Sequence, residues 1–143
     1  MNKTMLSLSK NLAVIFLVVA FFSCSEKTEK ISEIYPNGKT KVLTTVDSDQ
    51  RVVAKKEFYI NGKVKIEGSF DGAGERQGLW TYYYEDGKVW SRCEYTAGLR
   101  DGKNEVYYEN GKLRYSGSFK NDEKTGEWTF FDEEGQLIKK VNF

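Results

Sequence analysis

Histidine is absent from all 143 residues, so the side chain that most often serves as general base, metal ligand or triad member is not available. There are two cysteines, Cys24 and Cys93, and no cysteine or histidine cluster that would make a zinc site. Carboxylates occur in short runs, Glu85-Asp86, Asp122-Glu123 and Asp132-Glu133-Glu134, each in or beside a turn signal. Solvated turn charge accounts for them. Asp47 and Asp49 supply two acids without the further ligands that a calcium loop needs. Gly72 and Gly74 are followed by no helical pattern whose amino terminus could hold a phosphate. The expectation is a protein that is not an enzyme and uses neither metal nor cofactor.

Charge narrows the partners further. The chain carries 22 basic and 21 acidic residues, and this near-neutrality argues against nucleic acid, which calls for a basic stripe. Cys24 ends a different kind of segment. Lys3 and Lys10 form a basic, acid-free start, Leu12 to Phe22 are continuously apolar, and small Ser23 precedes the cysteine. The run is too short to span a bilayer and reads as a secretory signal covering residues 1–23. With Cys24 directly after the cut, the segment resembles the lipobox of bacterial lipoproteins, although Phe21 and Phe22 stand where that motif commonly has Leu and a small residue. The resemblance implies a diacylglyceryl group on the Cys24 thiol and acyl chains that hold the protein on a membrane of the bacterial cell envelope. Residues 24–33, charged and polar, read as a tether. Cys93 is then left without a disulfide partner and reads as a small buried filler.

Residues 34–143 are organised by a repeat. Gly38, Gly62, Gly87, Gly111 and Gly135 recur at 24 or 25 residues, the first four inside Asn-Gly-Lys or Asp-Gly-Lys. Gly78, Gly102 and Gly126 keep the same beat nine residues ahead of a turn glycine, and Val46, Phe70, Tyr95, Phe119 and Phe143 follow eight residues behind one. A period in this range marks a repeat architecture. Asn-Gly between apolar runs predicts a hairpin with a type I′ turn. The flanks alternate with period two, as in Val64, Ile66, Gly68, Phe70 or Leu113, Tyr115, Gly117, Phe119, so each flank is a strand with one buried face. A looser turn of about eight residues is expected at the other end, over 71–78, 96–102 and 120–126. No helical period is present to cover the strands. The fold class is therefore all-β: an elongated antiparallel meander of about five hairpin copies, the first and last incomplete, mostly one layer thick. Large rings stand in for the missing second layer.

The runs Tyr82-Tyr83-Tyr84-Glu85-Asp86-Gly87-Lys88, Tyr107-Tyr108-Glu109-Asn110-Gly111-Lys112 and Gly126-Glu127-Trp128-Thr129-Phe130-Phe131 resemble the MORN-repeat variant of bacterial proteins. Its usual copy reads Asp-Gly-Lys-Trp-x-Tyr-Tyr-x-Asn-Gly-Lys. Asn104, in a tryptophan slot, and the first copy depart from that form. The resemblance implies the hairpin repeat and, through labels attached to that family, an antitoxin role or a link to membranes and scaffolding.

The residues themselves point to a binding module that takes another protein, such as an envelope protein; that the partner is a toxin is implied only by the family label. Trp90 lies at a polar slot between Lys88 and Arg92, where other copies have Lys65, Arg114 and Ile138. Folding does not call for a ring there. Tyr83, Tyr107 and Phe131 point away from the alternating buried face and form a second candidate row, with Trp80 and Trp128 as further rings. An antitoxin or immunity role is the alternative, and glycan or lipid-headgroup binding on open aromatic platforms is a third.

Overall fold

The computed structural model describes residues 26–143, so the signal segment and Cys24 lie outside the described residues. Ten strands form one antiparallel sheet in chain order: β1 (Thr28–Ile34), β2 (Thr40–Val46), β3 (Val52–Phe58), β4 (Val64–Phe70), β5 (Arg76–Tyr83), β6 (Val89–Thr96), β7 (Leu99–Tyr107), β8 (Leu113–Lys120), β9 (Glu123–Phe131) and β10 (Leu137–Asn142). Each strand pairs only with its chain neighbours, and among the described residues there is no helix. The sheet is an open single layer, as the alternation and the missing helical period imply.

The segment expected to be a tether is partly strand. Thr28 to Ile34 pairs with β2 from Thr28↔Val46 to Ile34↔Thr40. All seven β1 residues are exposed, so no buried face imposes a period-two pattern that could be read from the sequence. Lys30, Glu29 and Glu33 put charge on this open edge, which discourages unwanted pairing.

The turns are exchanged relative to expectation. At Gly62, Tyr59 N donates to Lys63 O at 2.8 Å and Gly62 N donates to Tyr59 O at 2.9 Å, which encloses a three-residue loop. Only the glycine has positive φ there (88°). This is a β-turn closed by a glycine bulge rather than a type I′ turn. Asn61 serves it through its side chain, since its Oδ1 accepts the Lys63 N–H at 2.9 Å. The same frame recurs at Gly38, Gly87 and Gly111. Type I′ geometry sits instead at the opposite margin, where Ala97 and Gly98 (φ 47° and 80°) and Asn121 and Asp122 (49° and 68°) each join two strands directly. The expected eight-residue loops are therefore mostly strand.

What fills those extra positions is a bulge. Between β8 and β9, Ser116 faces Thr129 and Ser118 faces Thr125, so Gly117 opposes the three residues Gly126, Glu127 and Trp128. Glu67↔Thr81 with Ser69↔Gln77, and Cys93↔Asn104 with Tyr95↔Arg100, show the same offset in the two earlier copies. Gly78, Gly102 and Gly126 hold positive φ at these bulges (70°, 118° and 65°), which explains why this second glycine column keeps time.

Candidate functional site

The bulge delivers a tryptophan onto bare backbone. A Cβ at Gly68 would stand 2.2 Å from Trp80 Cδ2, and one at Gly117 would stand 2.2 Å from Trp128 Cδ2. Each indole therefore lies flat on a glycine of the preceding strand, and each is only 2% exposed. Trp80 Nε1 donates to Ser69 O at 3.0 Å and Trp128 Nε1 to Ser118 O at 3.2 Å. Phe70 and Tyr95 meet Trp80 edge-on, with centroids at 5.2 and 6.3 Å; Phe119 and Phe143 do the same for Trp128 at 5.1 and 6.1 Å. Burying one such ring is worth about 4–6 kcal/mol as area removed from water.

A cation closes each cluster from above. The Arg76 guanidinium lies 4.3 Å from the Trp80 ring and 5.2 Å from Tyr95. Lys124 Nζ lies 4.6 Å from Trp128 and 4.7 Å from Phe143. Arg100, midway, stacks on Phe119 at 4.0 Å. Arg76, Arg100 and Lys124 are 24 residues apart, a column that the spacing offers but alternation does not single out.

The middle copy lacks its ring. Asn104 occupies the tryptophan slot and Cys93 occupies the glycine slot beneath it, paired as Cys93↔Asn104. The two departures from the repeat are one exchange: where the ring is missing, a side chain larger than hydrogen can fill the floor. Cys93 is buried, and burial pushes its thiol up to about 11, which suits a filler rather than a nucleophile.

A second set of contacts runs along the glycine-turn margin. Tyr35, Tyr59, Tyr84 and Tyr108 each donate their hydroxyl to a backbone carbonyl of the next copy, at Phe58, Tyr83, Tyr107 and Phe131, over 2.7–2.9 Å. Lys39, Lys63, Lys88 and Lys112 do likewise to the carbonyls of Ile60, Asp86, Glu109 and Glu134. The turn lysines, which look merely solvated in the sequence, bind one copy to the next.

Residues 76–97, 100–121 and 124–143 each match the family model described as MORN repeat variant. These three units are MORN-variant repeats. Their starts fall on or beside the cation column, and the glycine turn, bulge glycine and aromatic slots recur within them. No curated protein matches the chain. A chain from a solved structure described as "Crystal structure of GtfA/B complex bound to UDP and GlcNAc" is similar to it at 16% identity and a TM-score of 0.45, covering 95% of this chain and 28% of that one.

The sheet presents its candidate side chains on two faces. Tyr83, Tyr107 and Phe131 occupy equivalent strand ends and are half-buried. Tyr83 Oη donates to Glu67, and burial followed by that carboxylate pushes its hydroxyl up to about 12. Tyr107 is raised for the same reasons, with Glu105 as the carboxylate. Their polar tips are thus already engaged within the sheet. Trp90 stands apart from this row and is 45% exposed. Its neighbours in the pairing are Tyr82↔Ser91 and Tyr83↔Val89, so Trp90 is itself the extra residue of a bulge. It meets Tyr82 edge-on at 6.1 Å and leans on Tyr84 at 6.4 Å. It shares a cleft with Cys93 and Tyr95 rather than standing on the far side of the strand. In the corresponding slots, Lys65 and Arg114 stack on Tyr59 and Tyr108. Trp90 replaces a stacked cation with a ring.

Proposed function

We propose that this protein is a non-enzymatic module that binds another protein, held to a membrane of the cell envelope by acyl groups on Cys24. The observation that carries the binding half is the single-layer sheet. Among the described residues, ten strands lie side by side with neither face covered by a second layer, and half-exposed rings such as Trp90 remain on it. Rigid, ring-bearing surfaces of this kind suit protein recognition, where tryptophan and tyrosine dominate contact energies. The anchoring half rests on the sequence before residue 26. Open aromatic platforms for glycan receive less support, because Arg76, Arg100 and Lys124 already cover the broad ring faces.

The test is photo-crosslinking in the native envelope, with a benzophenone side chain placed at Trp90, Tyr83 or Tyr107 in turn. A discrete protein adduct at one of these sites is the expected result. Adducts with lipid or polysaccharide alone refute the reading. The anchor is checked separately: Cys24→Ser abolishes incorporation of labelled fatty acid, and persistent labelling removes the lipoprotein assignment.

A further inference from the structure

We propose that the ringed, cation-bearing face of the MORN-variant repeats takes an acidic, extended polypeptide segment, seated over Asn104. This deepens the protein-binding reading above and rests on it for the partner being a protein.

The missing tryptophan of the middle copy opens two adjoining clefts. One is lined by Tyr82, Trp90, Cys93, Tyr95 and Arg114, the other by Phe119, Lys124, Trp128 and Phe130, and Arg100, Asn104 and Tyr115 border both. Neither contains a carboxylate. Asn104 is 9% exposed and borders both clefts, so its carboxamide is reached from them. It offers a donor and an acceptor at the floor, the pair that an extended backbone presents in return.

Charge then selects the occupant. Arg100 is compensated, since its Nε lies 2.7 Å from Asp122 Oδ1. Among the described residues Arg76, Arg114 and Lys124 have no carboxylate within ion-pair distance; the cations that do are found elsewhere, such as Lys103 with Glu105 and Lys56 with Glu67. Arg76 is held in place by Tyr82 Oη at 2.9 Å and Tyr95 Oη at 3.2 Å, which leaves part of its fork unused. A fixed guanidinium with free N–H groups matches a carboxylate. Stacking the cations on Trp80, Phe119 and Trp128 covers the broad ring faces on which bases or sugars would otherwise lie.

Spacing points the same way. Arg76, Arg100 and Lys124 stand at the first or second residue of β5, β7 and β9, two strands apart, so they are separated by roughly 10 Å. A chain crossing the strands as a polyproline II helix, with three residues per turn and about 3.1 Å per residue, meets this spacing with an acidic side chain turned to the sheet at every third position.

The test uses full-length protein and a fluorescent peptide of repeated Glu-Gly-Ser, with repeated Gln-Gly-Ser as control, read by anisotropy at low and physiological salt. The acidic peptide is expected to bind and to weaken as salt rises. Arg114→Glu with Lys124→Glu is expected to weaken it about tenfold or more. Lys56→Glu with Lys103→Glu, an equal charge change on other pairs, is expected to leave it unchanged. Circular dichroism establishes that both variants fold, and Arg114→Gln with Lys124→Gln repeats the measurement should the charge reversal unfold the sheet. Equal binding of the Gln peptide, or equal loss in the two double variants, overturns the proposal. So does binding only to phosphatidylglycerol vesicles, or binding that appears only as the chain self-associates. A crosslinked protein partner whose capture ignores Arg114 and Lys124 refutes this surface while leaving the protein-binding reading intact.

Discussion

Gly117→Ala tests the packing that organises each copy. The added methyl would stand 2.2 Å from Trp128 Cδ2, 2.3 Å from Cε2 and 2.5 Å from Cγ, whereas carbon atoms rest at about 3.5–4.0 Å. The indole must retreat by more than an ångström. It is 2% exposed and bonded through Nε1 to Ser118 O, and Phe119 and Phe143 close its edges. Inserting a methyl into a packed core costs about 1–3 kcal/mol. Losing the indole hydrogen bond adds about 1 kcal/mol. The expected loss is thus about 2–4 kcal/mol. In urea, with a slope of about 2 kcal/mol per molar, the midpoint falls by roughly 1–2 M, followed by tryptophan fluorescence and circular dichroism. The cycle with Trp128→Ala is the sharper measurement: once the ring is gone, Gly117→Ala should cost little, so the two changes are strongly non-additive. An unchanged midpoint for Gly117→Ala, or simple additivity in the cycle, refutes the idea that the glycine is there for the ring.

Three further outcomes follow from the same geometry. Asn104→Trp alone is expected to destabilise because Cys93 occupies the floor, whereas Asn104→Trp with Cys93→Gly restores the Trp80 arrangement and melts at or above wild type; a double variant worse than either single one contradicts the paired exchange. Tyr108→Phe removes one hydroxyl from the Phe131 carbonyl and is expected to cost about 0.5–1.5 kcal/mol in urea titration. Tyr83 and Tyr107 have raised pKa values in the fold, so their share of stability is complete below the ordinary tyrosine pKa and is lost as pH rises through the folded values. Melting temperature should fall between about pH 10 and 12 by the equivalent of roughly 1 kcal/mol for Tyr83, after allowance for solvent screening, and Tyr83→Phe should flatten the slope.

The period and the strands were legible because backbone conformation demands particular residues there. A turn glycine with φ near 85° recurs visibly, and alternation from Val64 to Phe70 reports a buried face directly. The facing of Trp90 was not legible. Counting by twos places it with Arg92, but one bulge residue at Tyr82/Tyr83 resets the count, and a shift of one reverses a side chain's face. The cation column escaped for a related reason: Arg76 stacks on Trp80 only because three residues of β5 oppose one of β4. The hydroxyl contacts of Tyr35, Tyr59, Tyr84 and Tyr108 keep the repeat's own spacing, yet a side chain bonding to a carbonyl leaves no trace in hydropathy. β1 was missed because its residues face water on both sides.

Strand order identical to chain order makes this protein's length an adjustable quantity. Among the described residues every copy packs on the copies before and after it, so removing or duplicating one unit of about 24 residues makes a single new junction, which repeats an existing one wherever the floor and ring slots match and fails where a tryptophan would meet Cys93. Gene segments can be gained or lost in register, each changing the sheet by two strands, or roughly 10 Å. A point change in a globular core disturbs everything packed around it; here a whole unit can be added while each old junction stays as it was. The same architecture keeps its contacts close in sequence, which favours rapid folding from any starting hairpin. A lineage carrying such a sheet can alter its reach without rebuilding its fold.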